Sequence, residues 1–471
     1  MDRLEENIRQ LVREALNDLN LKNEIALQSE KTGLFTTIDQ AVKAAEVAFH
    51  QLEKLTLETR KDIIANIRKI SKEHVVLISK MVCEETGMGR WEDKVVKNEL
   101  AINKTPGVED IVPETFSDDH GLTLVEHAPF GVIGSISPST NPTASIISNC
   151  IGMIAAGNSV VFNTHPAAKK VSAFLISLLN KAITEAGGPK NLITTIENPT
   201  LESAQSMMSH PKVSLLVVTG GPGVVKAAMK MEKKTIAAGP GNPPCVVDES
   251  ADIVKAGKDI VAGASFDNNL ICICEKEIIV VDSVAEALKV EMQKNGAYIL
   301  TPEQIKKVTT LVIADPGRPG HEGAANKTYV GQNAAKIARA IGLTVPDTTR
   351  LLLCEVDAEH PLVWTEQLMP VMPLVRVAHV DDAIDLAVRC EHGFRHTAIM
   401  HSLNIAKLSK MAKSMNCSIF IKNGPSYAGL GEGGAGFASF TIASPTGEGV
   451  TRARTFTRER RCTLVDYFRI I

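Results

Sequence analysis

The sequence predicts an α/β fold with two α/β units, on three observations. The chain has 471 residues, which is too long for one hydrophobic core and indicates two or three domains. From Phe130 to Met231, apolar strands such as SVVFN and VSLLVVTG alternate with helical segments, as parallel sheets of the dinucleotide-binding type require. A second alternating unit spans about residues 242–425 and contains EIIVV, LVWTEQLMPVMPLVRV and SIFIKN.

The N-terminal segment has a different pattern. Residues 2–19 carry apolar side chains at helical spacing and predict an amphipathic helix within a segment 1–20. A polar stretch follows, and residues 21–35 are interpreted as a linker. The globular part is predicted to begin near Thr37, which can form a capping box with Gln40. Long helical patterns then continue to about Ala101.

Composition excludes several classes of protein. Fifty-one Lys and Arg residues against 54 Asp and Glu residues give a net charge of −3, which does not indicate a nucleic-acid or membrane partner. Apolar runs fall short of the ~20 residues that span a bilayer, and charges interrupt the N-terminus as they would not in a signal peptide. We therefore expect a cytoplasmic protein. Its nine cysteines include no CxxC pair, so we expect free thiols and no metal site.

The segment FDNNLICICEK, residues 266–276, is the main candidate for chemistry. Cys272 follows an Asn-Asn turn and precedes the apolar strand 277–281, so its thiol is expected to be exposed. A thiolate attacks carbonyl carbons, so we expect donors or positive charges that lower the pKa of Cys272. Cys274 would point to the same face if both residues lay on a strand.

Seven motifs stand in one order along the chain. On these motifs, the chain resembles the aldehyde dehydrogenase superfamily and, more closely, the CoA-acylating aldehyde dehydrogenases of bacterial microcompartments. The motifs are SPSTNPT (137–143), IGMIAAGNSVVFNTHPAAKK (151–170), VTGGPG (218–223), AAGPGNPP (237–244), SFDNNLICICEKE (265–277), TEQLMPVMPLVRV (365–377) and TGEGVTRARTFTRERRC (446–462).

This resemblance implies two Rossmann-related domains and a small oligomerisation element. Residues 36–112 and 130–241 would form the dinucleotide-binding domain, and residues 242–430 the catalytic domain with the thiol. The hairpin 113–129 and the tail 431–471 would join subunits into a homodimer or homotetramer. The arginines of the tail would lie at the subunit interface or contact CoA phosphates.

The resemblance also implies the reacting groups. Cys272 matches the nucleophile, although Ile271 and Cys274 stand where similar enzymes have Pro and Ala. Asn141 matches the asparagine that, with the Cys272 backbone N–H, stabilises the oxyanion. A buried structural Cys272, a nucleophilic Cys274 and a simple Asn-Pro turn at residues 141–142 are the alternatives.

Hydrolytic members of the superfamily carry a general-base glutamate in a Glu-Leu-Gly-Gly segment. The matching residues here, 237–240, are Ala-Ala-Gly-Pro. We therefore expect no carboxylate near the thiol to activate water, so the thioester persists until a thiol such as that of coenzyme A accepts the acyl group. Gly239 in this segment is also assigned to the cofactor site.

The resemblance places the remaining NAD contacts at strand ends. Thr219-Gly220-Gly221 ends a strand and opens a helix, so its N–H groups could face a pyrophosphate. Glu366 matches the glutamate that holds the nicotinamide ribose. Ala168 replaces a glutamate that relatives have, so NAD and NADP are not distinguished by the residues, while the resemblance favours NAD. The other assigned cofactor residues are Ser139, Thr140, His165 and Pro166.

The expected function is oxidation of propanal or acetaldehyde to an acyl-CoA with NAD and coenzyme A, through a thioester on Cys272. The alternatives are a hydrolytic aldehyde dehydrogenase and an acyl-phosphate reductase. In similar enzymes an N-terminal extension directs the cargo to a shell, so residues 2–19 are expected to bind microcompartment shell proteins. His392 and His396 are interpreted as structural or pocket-lining.

Overall fold

The structure, a computed structural model, describes residues 32–471. The predicted helix 2–19 and most of the linker therefore lie outside the described residues. The α-helices are α1 (Ile38–Leu52), α2 (Leu57–Glu73), α3 (Val75–Thr86), α4 (Trp91–Lys104), α5 (Pro142–Ala155), α6 (Lys169–Glu185), α7 (Leu201–Ser209), α8 (Pro222–Met229), α9 (Ile253–Ala264), α10 (Asp282–Lys294), α11 (Pro302–Val312), α12 (Ala334–Ala340), α13 (Val380–Cys390) and α14 (Ile405–Met415).

The strands follow the same chain order. They are β1 (Leu34–Phe35), β2 (Glu114–Asp118), β3 (Gly121–Pro129), β4 (Val132–Ile136), β5 (Ser159–Asn163), β6 (Ile193–Ile196), β7 (Val213–Thr219), β8 (Lys234–Ala238), β9 (Pro244–Val247), β10 (Glu277–Val281), β11 (Ala297–Ile299), β12 (Ile313–Asp315), β13 (Ala324–Ala325), β14 (Leu351–Glu355), β15 (Val371–Val377), β16 (Thr397–His401), β17 (Ile419–Lys422), β18 (Ile442–Ala443), β19 (Gly449–Val450) and β20 (Thr457–Val465).

The first sheet has the strand order β1-β6-β5-β4-β7-β8, and all its pairs are parallel. In its centre, Ile133 of β4 lies between Val160 of β5 and Leu215 of β7. Strands β4 and β5 are buried along their whole length, which explains their continuous apolar sequences. The chain order reverses between β4 and β7, and such reversal points form ligand crevices at the carboxyl ends of strands.

The second sheet is also parallel, with the order β11-β14-β15-β10-β9-β16-β17. The predicted second α/β unit therefore has a sheet of its own. One buried cluster contains Ile133 and Phe162 from the first sheet and Ile278 and Leu353 from the second. The two sheets thus share a continuous core, which fixes the edges that face each other.

A third, antiparallel sheet has the order β2-β3-β20. Strand β20 pairs with β3 from Thr457, opposite Pro129, to Val465, opposite Gly121. The hairpin 113–129 and the tail 431–471, which the sequence analysis assigned to one oligomerisation element, therefore pair with each other within one chain. Asn158 helps to connect this sheet to the core, because its amide bonds both the end of the hairpin and the start of β20.

Helix α1 begins as the sequence predicted, but its capping box forms only in part. The Thr37 hydroxyl accepts a hydrogen bond from the Gln40 N–H at 3.3 Å. The Gln40 side chain bonds the hydroxyl of Thr36 at 2.8 Å instead of returning to the backbone of Thr37. Within residues 32–471, none of the helices combines the length and apolar character that crossing a bilayer requires.

Asn158→Ala should destabilise the fold. Asn158 is fully buried; its Oδ1 accepts from the N–H groups of Phe130 and Gly131, and its Nδ2 donates to the carbonyls of Met153 and Phe456. Loss of these partners leaves buried polar groups unpaired, so the free energy of unfolding should fall by about 2–4 kcal/mol. Denaturant unfolding would measure the change.

Asn103→Ala provides the matched control, because Asn103 is exposed near the end of α4. Its free energy of unfolding should stay within about 0.5 kcal/mol of the wild type. Equal stability of the two variants would contradict the role given to Asn158.

Candidate active site

Two sheet edges carry the candidate residues. Strands β5, β4, β7 and β8 are neighbours in the first sheet, and the assigned cofactor residues follow their carboxyl ends. Strands β15, β10, β9 and β16 are neighbours in the second sheet, and Glu366, Cys272, Gly241 and His396 precede their amino ends. Sheet order thus brings together residues that are more than 100 positions apart in the chain.

Cys272 lies in a turn, not on a strand. The Cys274 N–H donates to the Ile271 carbonyl at 3.0 Å, and β10 begins only at Glu277. Cys272 is half-buried, whereas Cys274 is 1% exposed and its sulfur contacts the carbonyl of Phe266. The prediction that the two thiols share a strand face was therefore wrong, and Cys272 is the accessible thiol of the pair.

The three residues Asp267, Asn268 and Asn269 hold the turn before Cys272. All three have left-handed backbones, with φ of 48°, 55° and 67°. Asp and Asn tolerate this conformation because their short polar side chains form local hydrogen bonds. The Asn268 amide donates to the carbonyl of Gly331 at 2.8 Å, and the Asn269 amide donates to the carbonyl of Glu275 at 2.9 Å. These bonds explain the Asp-Asn-Asn sequence.

Burial, and after it the charge of Glu366, raise the pKa of the Cys272 thiol to about 12. The ammonium groups of Lys276 and Lys97 act in the opposite direction. The sequence correctly led us to expect positive charges near the thiol, but a lowered pKa was wrong for the ligand-free protein. Desolvation outweighs the two cations, because it disfavours the thiolate.

Lys276 is a functional residue that sequence reasoning missed. Its side chain is fully buried, and its Nζ donates to the carbonyl of Asn269 at 2.9 Å and to the side-chain oxygen of the same residue. It therefore supports the turn and supplies a positive charge to the thiol. The signal in the sequence was a lysine between Glu275 and Glu277, directly before the apolar residues of β10.

Asn141 is positioned by α5, which it precedes. An Asn at this position commonly caps the helix, but the Asn141 side chain makes no capping bond. Its Oδ1 accepts a hydrogen bond from Lys97 Nζ at 2.8 Å, and its Nδ2 lies 3.2 Å from the Thr140 hydroxyl. Asn141 is 7% exposed, and its amide is not used to cap the helix. The Asn-Pro turn alternative does not explain this arrangement.

The segment 237–240 leaves β8 without a carboxylate. Gly239 passes close to Pro445, since a Cβ on Gly239 would lie 2.9 Å from the Pro445 ring. A carboxylate from another segment does act on the thiol, because the charge of Glu366 raises the pKa of Cys272. Burial raises the pKa of Glu366 itself to about 7, and Glu322 adds to this while Lys276 opposes it.

His396 and Gly241 complete the floor of the site. A Cβ on Gly241 would lie 3.0 Å from both the Cys272 carbonyl and the His396 ring, so a larger residue would have to displace one of them. Burial and Lys276 lower the pKa of His396 to about 4, so the imidazole is neutral. His392 is half-buried and bonds the Trp364 carbonyl at 3.0 Å. Both histidines therefore lie where a structural or pocket-lining role is possible.

The assigned cofactor residues lie mainly along the first sheet's carboxyl edge. Thr219 ends β7 and bonds the Thr441 hydroxyl at 3.0 Å. Gly221 precedes α8 and leaves its first turn without a side-chain cap, so N–H groups there remain available to a diphosphate. His165 and Pro166 are exposed after β5, and Ser139 and Thr140 are half-buried after β4. Glu366 lies on the opposite edge.

Comparisons with known proteins agree with this geometry. The model of the aldehyde dehydrogenase family matches residues 23–310. The chain is 50% identical to an acetylating acetaldehyde dehydrogenase of Escherichia coli K12 over 99% of this chain and 100% of the relative. It is 48% identical to a CoA-propanoylating propanal dehydrogenase of Salmonella typhimurium LT2 over 98% of each chain.

Two solved structures are similar along most of the chain. A propionaldehyde dehydrogenase of Rhodopseudomonas palustris, with bound CoA and an acylated cysteine, is 50% identical with a TM-score of 0.89, covering 92% of this chain and 98% of that one. A propionaldehyde dehydrogenase from a Clostridium phytofermentans fucose-utilisation microcompartment is 47% identical with a TM-score of 0.90, covering 93% and 100%. The chain therefore belongs to the aldehyde dehydrogenase family.

Proposed function

We propose that the protein oxidises a short aldehyde, acetaldehyde or propanal, to the corresponding acyl-CoA with NAD and coenzyme A. One observation carries the proposal: the accessible thiol of Cys272 and the uncapped amide of Asn141 share the ammonium of Lys97, while the segment 237–240 holds no general base. This arrangement supports attack on a carbonyl and disfavours hydrolysis of the resulting thioester.

The first step is attack by the Cys272 thiolate on the aldehyde carbon. The carbonyl oxygen becomes an oxyanion, and we assign its stabilisation to the Asn141 Nδ2 and the Cys272 N–H. One such donor contributes about 3 kcal/mol to the transition state of acyl-transfer enzymes. Lys276 and Lys97 favour the thiolate, and loss of the Glu366 charge would remove a repulsion.

NAD, when bound, accepts the hydride that leaves the hemithioacetal carbon, so that a thioester remains on Cys272. The residues fit such a ligand, because the first turn of α8 has no side-chain cap to compete with a diphosphate. Thr219 and Gly220 lead into that turn, and Glu366 is available to ribose hydroxyls. Ser139 and Thr140 border the oxyanion site.

The fate of the thioester depends on whether a carboxylate can activate water, and two places matter: the segment 237–240 and Glu366. Residues 237–240 provide no oxygen that could deprotonate water, and Glu366 is assigned to the ribose. A thiol acceptor needs less activation than water, and transfer between sulfur atoms keeps the acyl group activated. The hydrolytic and acyl-phosphate alternatives would instead require water or phosphate to release the product.

Steady production of NADH should depend on coenzyme A. With C2 to C4 aldehydes and NAD, the wild type should release about one NADH per subunit without CoA and turn over continuously with it, because the thioester accumulates. Absorbance of NADH measures both phases, and the same assay with NADP, or with phosphate in place of CoA, tests the other cosubstrates.

Cys272→Ala should reduce both phases by at least about 1,000-fold, since no thioester can form. Cys274→Ala is the matched control and should retain activity within a few-fold, because that sulfur is buried. Free acid as the main product, or continuous turnover without CoA, would contradict the proposal.

Glu366→Gln should make the Cys272 thiol more reactive above pH 7. Removal of the carboxylate charge lowers the pKa of Cys272 and raises the thiolate fraction at a given pH. We expect roughly two- to tenfold faster alkylation by iodoacetamide at pH 8.5, since one pKa unit is a factor of about ten. Below pH 6, where Glu366 is protonated, the two rates should converge.

Mass spectrometry of the Cys272 peptide should follow this reaction, because Cys462 is exposed and also reacts. Glu359→Gln, at an exposed position, is the control and should match the wild type at every pH. An unchanged or slower rate in Glu366→Gln at pH 8.5 would exclude this electrostatic effect.

We also propose that residues 2–19 direct the protein to a microcompartment shell. Their amphipathic pattern supports this role, as does the microcompartment origin of a similar propionaldehyde dehydrogenase. These residues lie outside the described structure, so the proposal rests on the sequence pattern.

Deletion of residues 1–20 should release the protein from shell particles without loss of activity. The apolar face of the predicted helix would be absent, whereas the site built from residues 32–471 would be intact. A fluorescent fusion and co-purification with shells measure the change. A full-length variant with Leu11→Glu should behave like the deletion, and unchanged localisation of both would contradict the role.

A further inference from the structure

Three charged side chains form a cluster behind the proposed oxyanion site, defined here as the Lys94–Lys97–Asp267 cluster. Both lysines lie on one face of α4, three residues apart. Lys94 is 1%, Lys97 2% and Asp267 0% exposed. One Asp267 oxygen, Oδ2, accepts a hydrogen bond from each ammonium, with Lys94 Nζ at 2.9 Å. Two cations thus share one carboxylate inside the protein.

Stability alone does not explain this cluster. Removing charges from water is unfavourable, and apolar residues of the same size often give equal or greater stability. Two ammoniums beside a single carboxylate make the burial more unfavourable still. Although burial by itself would raise it, the pKa of Asp267 lies below its ordinary value because both lysines stabilise the carboxylate. Burial lowers the pKa of Lys97 to about 8 and the charge of Asp267 opposes this shift, so Asp267 is a carboxylate and Lys97 is mostly protonated at neutral pH. The location of the cluster gives the best clue to its role.

Lys97 connects the cluster to Asn141. Its Nζ donates to the Asn141 Oδ1 at 2.8 Å and lies 3.3 Å from the Thr140 carbonyl. An ammonium has only donors, so it accepts no bond from the amide nitrogen. It therefore fixes which end of the Asn141 amide faces the cluster, and the nitrogen points away from it, with one hydrogen donated to the Thr140 hydroxyl at 3.2 Å and the other available to a ligand.

Asp267 connects the same cluster to the nucleophile. It begins the left-handed turn 267–269 that leads to Cys272, and its second oxygen, Oδ1, accepts from the Arg90 N–H at 2.9 Å. The backbone N–H of Asp267 donates to Asp93 at 3.0 Å. Helix α4 and its first turn therefore hold this turn through the side chain and the backbone of one residue.

We propose that Lys97 is a positioning residue for the oxyanion site: with Asp267 as its counter-ion, it orients the Asn141 amide and sets the distance of that amide from the Cys272 turn. The inference rests on the proposed function, because it assigns Asn141 to the oxyanion. Lys97 need not touch the substrate. It acts through Asn141, so its effect should disappear when the Asn141 amide is absent.

The test measures the acylation half-reaction, the burst of NADH formed from propanal and NAD without CoA. Lys97→Met keeps the length of the side chain and removes its donor. Lys94→Met is the matched control, because Lys94 contacts Asp267 from the same helix face without bonding Asn141. Both variants are also made in an Asn141→Ala background, which gives a double-mutant cycle.

Lys97→Met should slow the burst about 30-fold, somewhat less than the ~100- to 1,000-fold loss when an oxyanion donor is deleted. In the Asn141→Ala background the same substitution should cost less than about threefold, because its target is gone. Lys94→Met should stay within about threefold of the wild type in both backgrounds. The KM for aldehyde should change little in all variants.

Alkylation of Cys272 by iodoacetamide distinguishes a loss of oxyanion positioning from general disruption of the site. This reaction displaces iodide at a saturated carbon and forms no oxyanion, so it does not need the Asn141 amide. Its rate should fall by less than about threefold in Lys97→Met. If that variant does not fold, Asp267→Asn, which keeps an acceptor for the Arg90 N–H, should show the same dependence on Asn141. Equal losses in both Asn141 backgrounds, or an equal loss in Lys94→Met, would overturn the inference.

A failure of the proposed function would be recognised separately. The burst requires no acyl acceptor, so a wild type that oxidises propanal but does not use CoA would overturn the proposed product and leave the Lys97 result valid. A wild type that oxidises no aldehyde would overturn both.

Discussion

The ion pair between Lys97 and Asp267 is the contact on which the geometry of the site depends. Lys97 belongs to a helix beside the first sheet, and Asp267 begins the turn that carries the nucleophile before the second sheet. Because the pair is buried, small changes in the distance between the two sheets carry a large electrostatic penalty. The two sheets share one core, and in our proposal this contact orients Asn141 toward the Cys272 turn.

Burial also restrains the reactivity of the Cys272 thiol. With its pKa raised to about 12, Cys272 is almost entirely protonated at neutral pH. Oxidation and alkylation proceed through the thiolate, so the resting protein is protected from both. Lys276 and Lys97 lower the cost of forming the thiolate, and neutralisation of Glu366 would lower it further. The reactivity of the Cys272 thiol therefore depends on the charges of Lys276, Lys97 and Glu366.

The positions of the carboxylates distinguish this site from that of a hydrolytic aldehyde dehydrogenase. The segment after β8 contains alanine, glycine and proline, and the carboxylate that does influence the thiol arrives from the loop before β15. Burial holds the pKa of Glu366 near 7, so it responds to what binds beside it. In the proposed function Glu366 holds the ribose, so water has no base and the thioester awaits a thiol acceptor.

The sequence by itself determined the alternating strands and helices, the motifs that carry the family, the choice of Cys272 and Asn141 as candidates, and the absence of a carboxylate in 237–240. These are local patterns, and short-range spacing encodes them. Only the tertiary structure decided the turn at Cys272, the raised pKa of its thiol, and the meeting of Lys97 with Asn141 and Asp267, 44 and 170 residues away. Burial and long-range contact depend on how the two sheets pack, which no local pattern specifies.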